Sequence, residues 1–133
     1  MSDVTVAAGD PLPSYEVTPD TVQLFCYSAI TWNPHRIHYD APYARDVEGY
    51  SDVLVQGPLM GSWLMRLCAD WVAPWGRVDT MTYRTTTSVM PGTPLVVGGV
   101  VVTGGATPEA EIWVELPDGT KATHGRVTAI AEQ

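Results

Sequence analysis

With 133 residues the chain has room for one domain and one well-filled core. Fifteen acidic against seven basic side chains set the net charge at −8, which argues against nucleic acid and anionic membrane surfaces as partners. A phosphate-bearing ligand is not excluded, because a few local arginines suffice for it; Arg36, Arg45, Arg66, Arg77 and Arg84 are the candidates.

No apolar run approaches transmembrane length, and the first residues lack the basic-then-apolar pattern of a signal peptide. The expectation is a cytoplasmic protein. Residues 1–17, rich in turn formers, read as an N-terminal arm, and 18–133 as the folded domain. Thr18 as cap, Pro19 in the first position and Asp20 in the first turn predict a helix start. Val22, Phe25, Cys26, Ala29 and Ile30 follow at helical spacing, which predicts one buried face, and Pro34 marks the approximate end. Cys26 and Cys68 both stand in apolar helical contexts and read as buried free thiols, with neither a disulfide nor a metal.

The stretch 27–44, "YSAITWNPHRIHYDAPYA", is the densest in chemistry. It carries Asn33, His35, Arg36, His38 and Asp40 beside apolar residues. Histidine titrates near neutrality unaided and is the default general acid or base. The Asn33-Pro34 pair is a turn signal, so the stretch reads as a helix end running into a loop, with a short helix at 42–46. Asp40 either orients the His38 imidazole or caps local backbone. His35 and Arg36 either contact a substrate carboxylate or phosphate, or form a surface ion pair.

Val53 to Val55 read as a short extended piece. Pro58 then opens an apolar helix to about Val72, stopped before Pro74 and Gly76. Leu59, Met60, Trp63, Leu64, Leu67, Cys68 and Trp71 cover most of its circumference, so it is expected to be buried on nearly every side. Beyond Gly76 the period becomes strand-like: "RVDTMTYRTTTSV", "LVVGGVVVT", "AEIWVEL" and "TKATHGRVTAIA", divided by the turns "MPGTP", "GGATPE" and "PDG". Gly98 and Gly99 suggest a bulge or close packing. The order predicts an α+β domain, a long buried helix against a curled antiparallel sheet of about four strands. A helix so apolar calls for more cover than one small sheet, which points to a dimer.

The chain resembles the MaoC-like hydratases of the hotdog fold, the class that includes (R)-specific enoyl-CoA hydratases. Tyr27, Ile30 and Thr31 match the start of that family's motif, and Ile37, His38, Asp40, Tyr43 and Ala44 its end. "LVQGPLMGSWL", "SVMPGTPLVV" and "EIWVELPDGTKATHGRVTAI" resemble its later segments. Asn33 stands where the family has a catalytic Asp, Trp32 where it has Gly, and His35-Arg36 where it has Asn-Pro. Gln56 stands where many members have His. The form "T-x-N-x-H-R-I-H-Y-D" is similar to the subgroup of mesaconyl-CoA and 3-methylfumaryl-CoA hydratases.

The resemblance implies a hydratase or dehydratase acting on an α,β-unsaturated acyl thioester, carried by CoA or by acyl carrier protein, with no cofactor. His38 would be the proton shuttle, Asn33 the holder of the water, and the Gly57 N–H the oxyanion donor at a helix start. His35, Arg36, Asp40, Tyr43 and Gln56 would contact substrate. The expected assembly is a homodimer or a hetero-oligomer with a second hotdog subunit. Two other readings stay open: a hotdog thioesterase, or a subunit that binds acyl thioesters or completes a heteromeric partner's site.

Overall fold

Helix α3 (Gly57–Val72) is the pillar of the structure, a computed structural model that describes residues 5–132. Pro58 at its second position costs no hydrogen bond, because the first N–H groups of a helix have no intrahelical partner. Nine of its sixteen residues are buried, including all seven apolar residues named above. An antiparallel sheet in the order β1-β3-β4-β5-β2 curls around it. The strands are β1 (Tyr15–Val17), β2 (Gly76–Thr85), β3 (Leu95–Thr103), β4 (Glu109–Glu115) and β5 (Lys121–Ala131). Alternation along β4 sends Ala110, Ile112 and Val114 into the core against α3 and leaves Glu111 exposed. Between β1 and α3 lie α1 (Thr21–Ile30), a 3₁₀ turn (Arg36–His38) and α2 (Ala41–Asp46). No helix among the described residues is long and apolar enough to cross a membrane.

Among the described residues the sheet has five strands where about four were expected. Tyr15–Val17, inside the stretch read as an arm, pairs with β3, and the Tyr15 hydroxyl donates to the Trp63 carbonyl at 2.7 Å. The N-terminal segment thereby ties one sheet edge to α3. Gly99 shows the close packing its sequence suggested, since a side chain there would meet the Glu111 carbonyl at 2.5 Å. The register shift in β3 lies elsewhere, between Val101 and Thr103.

Helix α1 departs most from its pattern. Its cap is Asp20, not Thr18; the carboxylate accepts the Gln23 N–H at 2.7 Å. Its buried residues are Leu24 and Ser28, while Val22, Phe25, Cys26 and Ile30 are exposed. Cys26 is therefore not a buried thiol. Cys68 is fully buried, and burial pushes its thiol up to about 12. The buried face of α1 meets Gln56, whose amide nitrogen donates to the Leu24 carbonyl at 2.8 Å and to the Ser28 hydroxyl at 2.9 Å. The same face also buries Leu24 in the core, so the amide nitrogen's two bonds and that packing act together.

Candidate active site

His38 ends the 3₁₀ turn and is buried, with Nδ1 at 2.7 Å from the Leu54 carbonyl. A carbonyl only accepts, so Nδ1 carries the hydrogen and Nε2 keeps a lone pair. The neighbouring backbone fixes this tautomer. The Leu54 N–H donates to Ile37 at 2.8 Å, and the Val55 N–H donates to Val89 at 2.8 Å. Segment 53–55 thus runs extended between the histidine turn and the stretch after β2, without joining the sheet. Burial lowers the imidazole's pKa; the Leu54 carbonyl opposes this and the nearby His35 adds to it. A lowered pKa favours the neutral imidazole, the form whose Nε2 can accept a proton.

The cleft beside His38, of about 260 Å³, is walled by Val55, Met60 and the hydroxyl run Thr85 to Ser88. The start of α3 abuts it. Gly57 lies against Thr85, where an added side chain would meet the hydroxyl oxygen at 3.3 Å. Gln56, the N-cap residue, makes no side-chain cap bond, so its side chain leaves the helix's first N–H groups uncovered. An imidazole and several hydroxyls therefore line one small space, and the first residue of α3 packs against Thr85 in its wall. Such a set can move a proton and stabilise a developing anion.

The other sequence candidates go elsewhere. The Asn33 side-chain oxygen accepts the His35 N–H at 3.2 Å, and Asn33 lines a neighbouring hollow with Phe25, Trp32 and Tyr39. Trp32 holds a left-handed backbone at φ 52°, and its side chain is almost wholly exposed. Asp40 does not orient His38. It caps α2 by accepting the Tyr43 N–H at 3.1 Å and pairs with Arg36 at 2.8 Å, so local capping and the ion pair are the roles observed. The Tyr43 N–H and then the Arg36 guanidinium hold its carboxyl below the ordinary range. Arg36 lies over the Tyr43 ring, whose hydroxyl donates to Glu48. His35 is exposed, its ring 5.9 Å from that of His38. Gln56 is fully buried and pinned to α1, which makes it a positioning residue rather than a substrate contact. Its own side-chain oxygen has no partner, so the nitrogen alone holds it.

Gln56→Ala is accordingly expected to lower folding stability by about 1–3 kcal/mol, the usual cost of stranding a buried polar partner. Urea unfolding should show a lower midpoint at unchanged slope. An unchanged midpoint would mean that the bonds to Leu24 and Ser28 do not hold α1 in place. The hydroxyls of Thr85 to Ser88 were missed from sequence, because a threonine-rich alternating run reads as a strand. The signal available was four consecutive hydroxyl residues placed just before the "MPGTP" turn.

The profile of the family described as hydroxyacyl-thioester dehydratase type 2 matches residues 3–91. The chain belongs to this family. It is similar to the mesaconyl-C(4)-CoA hydratase of Chloroflexus aurantiacus, 55% identical over 51 residues that make up 38% of this chain and 18% of that protein. It is also similar to the mitochondrial hydroxyacyl-thioester dehydratase type 2 of Saccharomyces cerevisiae, 32% identical over 84 residues, 63% of this chain and 29% of that protein. The match thus spans less than a third of either curated relative's length. Among solved structures, the (R)-hydratase from A. caviae superposes with a TM-score of 0.85 at 12% identity, over 98% of this chain and all of that one. The MaoC-like dehydratase from Rhodospirillum rubrum gives 0.78 at 15% identity, over 96% and 94%. The ChsH1-ChsH2 complex from Mycobacterium tuberculosis gives 0.83 at 15%, over 96% and 99%. The fold is a single hotdog.

Proposed function

We propose that this chain adds water to, or removes it from, an α,β-unsaturated acyl thioester, with enoyl-CoA as the substrate class. The observation that carries the reading is the His38 tautomer, a buried neutral imidazole with Nε2 free beside a helix N-terminus. In hydration, Nε2 takes a proton from water as its oxygen attacks the β-carbon. The π electrons move onto the thioester oxygen as an enolate, which the N–H groups at the start of α3 stabilise. His38 then returns the proton to the α-carbon. Dehydration is the reverse. The relatives named as hydratase and dehydratase support this chemistry.

A thioesterase reading loses its support, since Asp40, its candidate carboxylate, is committed to Arg36 and Tyr43. The test is the purified chain with a panel of enoyl-CoAs. Loss of enoyl absorbance without thiol release is expected. Thiol release overturns the hydratase reading in favour of a thioesterase. Activity that appears only with a second hotdog subunit means the site is completed in trans.

The motif resemblance gives the water to Asn33, although its side chain lines the hollow with Phe25, Trp32 and Tyr39 and not the His38 cleft; its oxygen is occupied by the His35 N–H while its amide nitrogen carries no protein bond among the described residues. Asn33→Asp keeps the bond to the His35 N–H and should retain more turnover than Asn33→Leu, which loses both contacts. Equal turnover in the two variants would remove Asn33 from the site.

The assembly proposed is a dimer, with a second copy or another hotdog subunit. Of the six exposed residues of α3 three are polar (Ser62, Arg66, Asp70) and three apolar (Pro58, Met65, Ala69), so the helix by itself does not demand the partner. Strand β2 does: it is a ten-residue edge with an open ladder. A monomer in sedimentation at micromolar concentration, with no second subunit available, would count against this. The ChsH1-ChsH2 complex is an assembly of a similar fold.

A further inference from the structure

Helix α1 turns an apolar stripe outward. Its inner face holds Leu24 and Ser28, which leaves Val22, Phe25, Cys26, Ala29 and Ile30 exposed. A helix whose outer face meets only water ordinarily carries polar and charged residues there. This one does not: from Thr21 to Pro34 no side chain carries a formal charge, although fifteen acidic and seven basic residues are spread over the chain.

The stripe continues past the helix end into a patch. The Phe25 and Tyr39 rings meet edge to face with centres 6.3 Å apart. Phe25, Ala29, Trp32, Pro34 and Tyr39 wall the hollow beside them, of about 250 Å³. Val22 is 68% exposed, Phe25 59%, Ile30 77% and Trp32 92%. With aromatic side chains offering roughly 150–250 Å² each, the patch comes to about 700 Å². That exceeds the ~300–600 Å² of the largest patch on a typical monomer and is close to the ~800 Å² per partner of a standard interface.

The backbone of Trp32 is an independent observation on the same patch. Helix α1 ends in a Schellman turn: the Asn33 N–H donates to the Ser28 carbonyl at 2.9 Å, and the Trp32 N–H to the Ala29 carbonyl at 3.4 Å. Such a turn needs a left-handed residue after the cap, ordinarily glycine. Here that residue is tryptophan at φ 52°, the one non-glycine residue with positive φ among the described residues. A bulky side chain in this region is strained. With its side chain almost wholly in solvent, Trp32 gains little from its own fold in return. A strained backbone that holds an indole out beside an apolar hollow points to a partner that covers both.

We propose that two copies of this chain pair through this patch about a two-fold axis beside Trp32, each indole seated in the other copy's hollow. The patch carries both halves of the contact, a protruding ring and an apolar hollow to receive one, which is the self-complementarity that an isologous interface needs. A large aromatic side chain set in a pocket is the usual form of a binding hot spot. Charge selects the same surface. Two copies that each carry −8 repel one another, and the uncharged run 21–34 lets them touch without like charges in contact. The contact is additional to any pairing of β2 edges and does not depend on the hydratase reading.

Sedimentation of the full chain over a concentration series reads the pairing. Trp32→Gly removes the ring, and Ala29→Glu puts a charge in the hollow. Each should weaken the pairing step at least about tenfold. Where the native chain is paired, each variant should therefore sediment at half its mass, whatever mass β2 pairing sets. Val47→Ser, which removes an exposed apolar side chain that does not line the hollow, should leave the mass unchanged. Stability separates the interface from the fold. Added to the Ala29→Glu variant, which no longer pairs, Trp32→Gly should raise the urea midpoint, because glycine relieves the left-handed strain. A lower midpoint would mean that the fold itself needs the indole, and overturns the proposal. So does a native chain no heavier than Trp32→Gly at any concentration. So does either variant keeping the native mass with native circular dichroism.

Discussion

His38→Ala is expected to lower turnover of an enoyl thioester by about 10²–10⁴, the usual worth of a positioned general acid/base. The substitution also removes the bond to the Leu54 carbonyl, so stability must be measured beside activity. The pH profile gives a second readout. Burial lowers the His38 pKa from its ordinary 6.5, so the working neutral form persists to more acid pH than for a free histidine. Activity should fall on the acid side in one step with its midpoint below 6.5. Stability follows the same sign. Between the lowered folded value and the unfolded one the unfolded chain binds more protons, so the His38 contribution is present above that window and is lost as pH falls through it. His35→Ala should cost less, because His35 is exposed and lies outside the cleft. A nearly silent His38→Ala with a dead His35→Ala would mean the base has been placed on the wrong histidine.

Helix α3 was legible in the sequence because it is long and apolar on most sides. Such a pattern calls for cover on nearly every side, and the strand-like segments after Gly76 supply a sheet for it. His38 was legible from its motif. What sequence did not reveal were contacts that join distant segments. Nothing near Leu24 or Ser28 announces that a glutamine twenty-eight residues beyond Ser28 will claim both, and that claim acts with the packing of Leu24 on the buried side of α1. Strand β1 is three residues long, too short to show a period, and exists because β3 offers it an edge. Asp40 lies two positions from His38 and seemed able to share a face with it in an extended loop. The 3₁₀ turn instead brings Arg36 to the carboxylate and the start of α2 brings the Tyr43 N–H, while a backbone carbonyl from segment 53–55 takes the imidazole hydrogen.

Gly57→Pro is expected to lower turnover by about 10²–10³, the loss seen when an oxyanion donor is removed. Position 57 is the first of α3, where an N–H is free of intrahelical bonds, so its removal breaks nothing inside the helix. Gln56 before it is extended at ψ 134°, a conformation that tolerates a following proline. Two strains remain. A side chain at 57 meets Thr85 at 3.3 Å, and a helical residue before Pro58 is disfavoured unless it is glycine. Gly57→Ala separates these from the lost donor: it keeps the N–H and adds the same contact with Thr85 and the same strain before Pro58. The expected pattern is a folded Gly57→Ala with most of its turnover and a folded Gly57→Pro with little. If both variants fold and both are inactive, the requirement at 57 is space beside Thr85 rather than a donor. A folded Gly57→Pro with native turnover would move the oxyanion site away from the start of α3, and the Thr85 to Ser88 hydroxyls across the cleft would be the groups left to hold the charge.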